Sequence, residues 1–219
     1  MIDELFRVVS TRRAFDGRVV RARVDQVQMP GGQTAAREVV EHDRAVAVVA
    51  VDGDGPNPDV VLIRQFRHPL RRRLWELPAG LMDVDGEAPL AAVQRELAEE
   101  TGLAAAHWSV LAEMAASPGF TDEVVMIYLA TGLTDIGRQG EIADEEADLE
   151  IVRVPLADAV AAVLDGRIVN GAAVAGLLAA RMVLSGEATA RPGDAGWGAG
   201  APLTAVDAPV GDAPPLGTA

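Results

Sequence analysis

A chain of 219 residues, 49% hydrophobic and 24% charged, has the make-up of one ordinary globular domain with appendages, which sets aside disordered, collagenous and disulfide-scaffold classes. Nineteen basic residues, every one an arginine, face 33 acidic ones for a formal net charge of −14, which argues against general affinity for nucleic acid or an anionic membrane and suits divalent cations. With no cysteine, a disulfide framework, a zinc-thiolate site and a cysteine nucleophile are excluded, and nothing points to an oxidising compartment.

The first residues, Met1 to Arg7, lack the basic-then-apolar pattern of a secretory leader. The greasiest stretch, 171–184, is broken by Arg181 and falls short of the roughly 20 apolar residues that a bilayer span needs. The expectation is a soluble cytoplasmic protein. Valine-rich runs at 17–29 and 36–52 read as strands of an antiparallel lead-in. The Asp/Gly/Pro segment from Asp52 to Asp59 lacks the closing Glu and the spacing of a calcium loop and reads as a hairpin turn. A strand follows over 59–67. An amphipathic helix is predicted from about Pro89 to Thr101, with proline in its first turn and Gly102 just past its last.

Further strands are expected near 107–115 and 122–131, an acidic loop over 140–146, and Ala-rich helices near 156–165 and 170–184. The mixture predicts an α/β (α+β) layered fold. From about Ser185 onward Gly, Pro and Ala dominate without periodicity, which reads as a flexible tail. Gly196-x-Gly198-x-Gly200 has no strand before it or helix after it, so it is not a phosphate loop. The three histidines, His42, His68 and His107, show no metal-ligand spacing and read as surface or packing residues.

The informative segment runs from Gly80 to Leu103. On the predicted helix Glu96 and Glu100 lie one turn apart with Glu99 beside them, while Leu90, Val93 and Leu97 form a neighbouring apolar stripe. Like charges at these spacings repel by a few tenths of a kcal/mol per pair, roughly, near a helix C-terminus that itself disfavours anions. A hard divalent cation with oxygen ligands, Mg²⁺ or Mn²⁺, would favour the cluster; on spacing alone a solvated acidic helix face remains open.

The same segment resembles the Nudix box, in which a glycine and a glutamate precede Arg-Glu-apolar-x-Glu-Glu-x-Gly-apolar at fixed spacing. Every position from Glu87 onward matches, but six residues instead of five separate Gly80 from Glu87. The resemblance implies an α/β/α sandwich around a mixed sheet, with Glu96 and Glu100 as metal ligands and Glu99 as a ligand or a water-mediated bridge. It implies that the Ala79 carbonyl also meets a metal and that Glu87 pairs with Arg95 to hold loop against helix, with Gly80 and Gly102 as structural supports of the box.

Substrate-side features resemble the bacterial ADP-ribose pyrophosphatases within that superfamily. Pro118 lies fifteen residues past Leu103 and is followed by Gly119 and Phe120. Five arginines fall within Arg64–Arg73, and such forks suit a diphosphate. By resemblance Arg67 is the candidate for the diphosphate and Glu76 for a ribose or adenine contact. In the loop from Glu141 to Asp148 the likeness makes Glu145 the first and Glu146 the second candidate to activate water.

The expected activity is metal-dependent hydrolysis of ADP-ribose to AMP and ribose 5-phosphate. The alternatives are a Nudix pyrophosphohydrolase for a nucleotide sugar or dinucleoside polyphosphate, and a non-enzymatic ADP-ribose sensor. The expected organisation is an N-terminal β region over 1–44 that makes a homodimer, a Nudix domain over 45–184 and a tail over 185–219.

Overall fold

The structure is a computed structural model that describes residues 6–53, 55, 57–138 and 149–198. The described residues divide into two compact units: one holds 6–44, 115–124 and 197–198, and the other holds the described residues between 45 and 114 and between 125 and 196.

In the first unit β1 (Arg7–Asp16), β2 (Val20–Gln28) and β3 (Thr34–His42) form an antiparallel sheet in that order. The β2–β3 turn closes through Gly32, whose φ of 82° is costly for any residue with a Cβ. Asp25 is buried at 5% exposure and is satisfied by the Thr11 hydroxyl at 2.8 Å and Arg23 Nε at 2.9 Å. Glu41 receives hydrogen bonds from both Arg13 and Arg23. The segment 115–124 joins this unit through Val40, whose N–H donates to the Phe120 carbonyl at 2.7 Å, and through His42, whose backbone N–H donates to Asp122 at 3.0 Å.

The second unit is built on a mixed sheet. Its centre is β4 (Ala45–Asp52), seven of whose eight residues are buried because both sheet faces are covered. β4 pairs parallel with β9 (Val124–Asp135) and antiparallel with β5 (Asp59–Arg67) and β7 (Ala79–Leu81). The path runs β10 (Glu150–Pro155), β5, β4, β9, β8 (Leu103–Ala115), β11 (Arg191–Pro192), with β6 (Arg72–Glu76) paired to β5.

Odd positions of β4, Ala45, Ala47, Val49 and Val51, share a core with Ile127, Leu129 and residues of α2 (Leu156–Leu164) and α3 (Gly171–Leu184). Even positions, Val46, Val48 and Ala50, face the opposite way, and α1 (Pro89–Thr101) packs on β4 and β7 with Ala92, Val93 and Leu97 buried. The result is the expected helix–sheet–helix layering. Asn170 caps α3 by accepting from the Ala173 N–H at 2.9 Å. Gly176 lets that helix lie close to the sheet, since a Cβ there would come within 2.8 Å of Leu77, 2.9 Å of Ile127 and 3.0 Å of Val49.

Several local expectations change. The run over 36–52 is two strands, β3 and β4, separated at Asp43-Arg44, because valines on both sides hide the break. β1, β6, β7 and β10 were not expected. The segment after Ser185 is not wholly without regular structure: Arg191 and Pro192 pair with Val110 and Ser109, and Arg191 holds Glu113 at 2.7 Å. No helix among the described residues is long and apolar enough to cross a membrane.

Candidate active site

The site begins at the β6–β7 connection. Leu77 is buried, the Pro78 carbonyl accepts the Val48 N–H at 2.9 Å, and Ala79 and Gly80 pair with Ala47 and Val46. The Ala79 N–H donates to Glu100 Oε2 at 2.9 Å, which ties the loop to the last turn of α1. Glu100 is only 5% exposed.

A Cβ at Gly80 would stand 2.0 Å from the Glu96 carboxylate carbon, so any side chain there would make that carboxylate move aside. Glu96 therefore packs its carboxylate directly on the loop backbone. Burial pushes the Glu96 carboxyl up from its ordinary pKa, and the nearby Glu99 adds to this against the opposing pull of Arg95.

Arg95 is the hub. Its Nε and Nη2 meet the two oxygens of Glu87 at 3.2 and 3.1 Å, and its Nη1 reaches Glu96 at 2.7 Å and Glu99 at 3.2 Å. The hydrogen bonds to Glu87, outweighing desolvation, and the charges of Glu96 and Glu87 raise the guanidinium pKa, so this group stays cationic throughout. The helix ends as anticipated at Gly102, which adopts φ 72° and donates to the Ala98 carbonyl at 3.0 Å. The residue by which the segment exceeds the box spacing is absorbed in a turn between β7 and α1, where the Glu87 N–H donates to the Val84 carbonyl at 3.1 Å and Gly86 sits at φ 77°.

Among the described residues no three acidic or histidine side chains already form a metal-holding cluster. The donor set nonetheless fits a hard divalent cation. Glu87, Glu96 and Glu99 share one guanidinium, a surplus of two negative charges beside the buried Glu100, and all the donors are oxygens. Ala79, Glu96, Glu99 and Glu100 are the residues that would hold it.

Arg67 and Glu76 form a second element. Arg67 Nε and Nη2 donate to the two oxygens of Glu76 at 2.9 and 2.6 Å, a bidentate fork across the β5–β6 pair. Glu76, expected to contact ribose or adenine, is 2% exposed and has both carboxylate oxygens on Arg67. Pro118, Gly119 and Phe120 lie in the other compact unit, where the Phe120 N–H donates to the Ser117 carbonyl at 3.0 Å and the ring is 55% exposed. Glu145 and Glu146 lie outside the described residues.

The sequence did not reveal that Arg95 also gathers Glu96 and Glu99, or that Arg67 is gripped by Glu76. The second was within reach, because an antiparallel β5–β6 hairpin puts 63, 65 and 67 on one face with 72, 74 and 76.

Known proteins match this architecture. The NUDIX domain model matches residues 41–172. An ADP-ribose pyrophosphatase of Mycobacterium tuberculosis is 48% identical over 90% of this chain and 93% of its own length. A methanol dehydrogenase activator of Bacillus methanolicus is 36% identical over 77% and 88%, and an ADP-ribose pyrophosphatase of Bacillus subtilis 37% over 70% and 80%. A crystal structure titled an ADP compounds hydrolase superposes with TM-score 0.72 over 83% of this chain and 95% of that one, at 23% identity, which shows a common fold. A box matched in full from Glu87 onward, the sheet and helices that present it, and relatives that share most of the chain establish that this protein belongs to the Nudix family, whose hydrolases depend on a divalent cation.

Proposed function

We propose that the protein is a Mg²⁺-dependent ADP-ribose pyrophosphatase that releases AMP and ribose 5-phosphate. The observation that carries this reading is the surplus of carboxylates gathered between Gly80 and the C-terminal half of α1, and the names of the relatives at 48% and 37% identity supply the substrate. A divalent ion bound there supplies a Lewis acid for the diphosphate oxygens and lowers the pKa of attacking water. Mn²⁺ has the same donor preference and is the second candidate.

The chain's own residues then have distinct tasks. Glu96, Glu99 and Glu100, with the Ala79 carbonyl, hold the ion against the loop. Arg67 neutralises further charge on the diphosphate, and Pro118, Gly119 and Phe120 contact the substrate. Glu145, or failing it Glu146, takes a proton from water as its oxygen bonds to phosphorus and the bridging P–O bond breaks, leaving the two monophosphates. Arg95 and Glu87 keep loop and helix in register.

The protein works as a homodimer in this reading, because β1 is exposed at all ten of its residues, including Val8, Val9 and Phe15. A single-chain mass by light scattering at micromolar concentration would remove that part. A cytoplasmic location accompanies the activity and is checked by cell fractionation.

The deciding experiment is hydrolysis of ADP-ribose beside GDP-mannose, NADH and diadenosine polyphosphates, with and without Mg²⁺, with products separated by chromatography. AMP release from ADP-ribose that depends on Mg²⁺ and exceeds the other substrates supports the proposal. A preference for GDP-mannose would follow instead the relatives named GDP-mannose pyrophosphatase, one of them 32% identical over 63% of this chain. Binding without turnover of any compound would indicate a sensor.

A further inference from the structure

We infer that Glu76 is a positioning residue that aims the Arg67 guanidinium at the substrate's diphosphate and makes no substrate contact of its own, an inference that rests on the diphosphate role proposed for Arg67. The β5–β6 register pairs Ile63 with Glu76 and Arg67 with Arg72, so Arg67 and Glu76 share a sheet face but sit four residues apart along it. That is about 13 Å at 3.3 Å per residue, and only a long side chain laid back along the strand closes it. Arg67 closes that gap, with both nitrogens of its fork edge engaged by Glu76 at 2.9 and 2.6 Å.

The asymmetry of exposure gives the direction of action. The Glu76 side chain is 3% exposed and that of Arg67 45%, so the acid lies inside while the arginine side chain is partly exposed. A buried carboxylate whose two oxygens are both taken by one guanidinium has little left to offer a ligand, and against a diphosphate it would repel. What it does offer is a fixed plane for a cation that otherwise samples many rotamers.

The position along the chain strengthens this. Glu76 ends β6, and the next residues are the buried Leu77, Pro78 bonded to Val48, and Ala79 bonded to Glu100. The cationic fork and the acidic cluster are thereby anchored to one short run of backbone, which fixes the spacing between the groups that must grip the same diphosphate.

The test is a double-mutant cycle with Glu76→Gln and Glu76→Asp, alone and on Arg67→Ala, measuring kcat and KM for ADP-ribose at saturating Mg²⁺ and ADP-ribose affinity in EDTA by calorimetry. Glu76→Gln is expected to raise KM about tenfold with kcat within about twofold, and to add nothing in the Arg67→Ala background. Glu76→Asp, one methylene short of the fork, should match or exceed it. An unchanged KM, a loss confined to kcat, or an equal further loss on Arg67→Ala would each overturn the inference, the last by revealing direct contact.

The Arg67 Nε–H resonance keeps the test independent of turnover: slow solvent exchange in the unmutated protein, lost in Glu76→Asp, supports the fork, and fast exchange in both overturns it. Should ADP-ribose not be hydrolysed at all, the proposed function fails, while the resonance and the binding cycle in EDTA still judge the fork. Absence of nucleotide binding in that cycle would overturn the inference as well.

Discussion

Two arginine–carboxylate networks in this molecule look alike in a list of ion pairs and differ in their charge balance. In the first unit, Arg13, Arg21 and Arg23 stand against Asp25, Glu41 and Asp43, three positive and three negative charges. In the second, among the described residues, Arg95 alone serves Asp83, Glu87, Glu96 and Glu99, with Glu100 buried beside them on a backbone N–H. Burial of carboxylates is costly unless they are paired. Among the described residues the first network is therefore balanced, whereas the second holds more carboxylates than cations, the surplus that the proposed divalent cation would offset.

That contrast is open to direct attack. The largest effect should come from Glu96→Gln. The loss of one ligand forfeits several kcal/mol of charge stabilisation, a fall in turnover of about 10³-fold. Thermal stability in EDTA should stay within about 1 kcal/mol, since Arg95 keeps its other partners. Full activity at saturating Mg²⁺ would remove Glu96 from the ligand set.

Next in size is Gly80→Ala, whose Cβ would fall 2.0 Å from the Glu96 carboxylate carbon. Because the carboxylate is the end of a flexible side chain it can swing aside, so stability should change by less than about 1 kcal/mol while a large part of the activity is lost. Wild-type kinetics in that variant would mean that the loop and carboxylate are not held together.

A third measurement compares melting with and without Mg²⁺. At a hundredfold excess over Kd the ion should stabilise the native chain by about 2.7 kcal/mol, several degrees in Tm. The increment should vanish in the double variant Glu96→Gln, Glu100→Gln and persist in Glu41→Gln; an equal increment in all three would dissolve the distinction between the networks.

The smallest effect belongs to the balanced network. Burial alone would push the Glu41 carboxyl up, but hydrogen bonds from Arg13 and Arg23 outweigh it and hold the carboxyl below its ordinary pKa of 4.5. A pKa lowered by folding contributes stability that is complete above the unfolded value and lost as pH falls through the folded one. Glu41→Gln should cost about 1 kcal/mol near neutral pH and flatten the acid limb of the stability curve. A steeper limb would reverse the sign of the argument.

The sequence carried the fold wherever burial imposes a period. The bounds of α1, β5 and α3 follow from apolar spacing and from punctuation at Pro89, Gly102 and Asn170. β1 was invisible because all ten of its residues are exposed, so no alternation marks it. β6 and β7 were hidden in an arginine-rich segment read for chemistry, and β11 is only two residues long.

At the site, helix spacing alone brings Glu96, Glu99 and Glu100 near one another, and the family pattern named them. Neither could show that Glu100 turns to the Ala79 N–H while Glu96 and Glu99 turn to Arg95, because rotamer and loop path decide it. The burial of Glu76 and its fork with Arg67 follow from the β5–β6 pairing, which becomes legible only once Arg72–Glu76 is recognised as a strand.

The glycine at 176 departs from local helix preference. In an ordinary helix interior alanine improves on glycine by about 1 kcal/mol. Here the added methyl would press on Leu77, two residues before Ala79, with Ile127 and Val49 leaving it nowhere to go. A change that local preference rewards would thus crowd the core beneath Leu77, so this position is expected to resist variation although it lies across the sheet from α1.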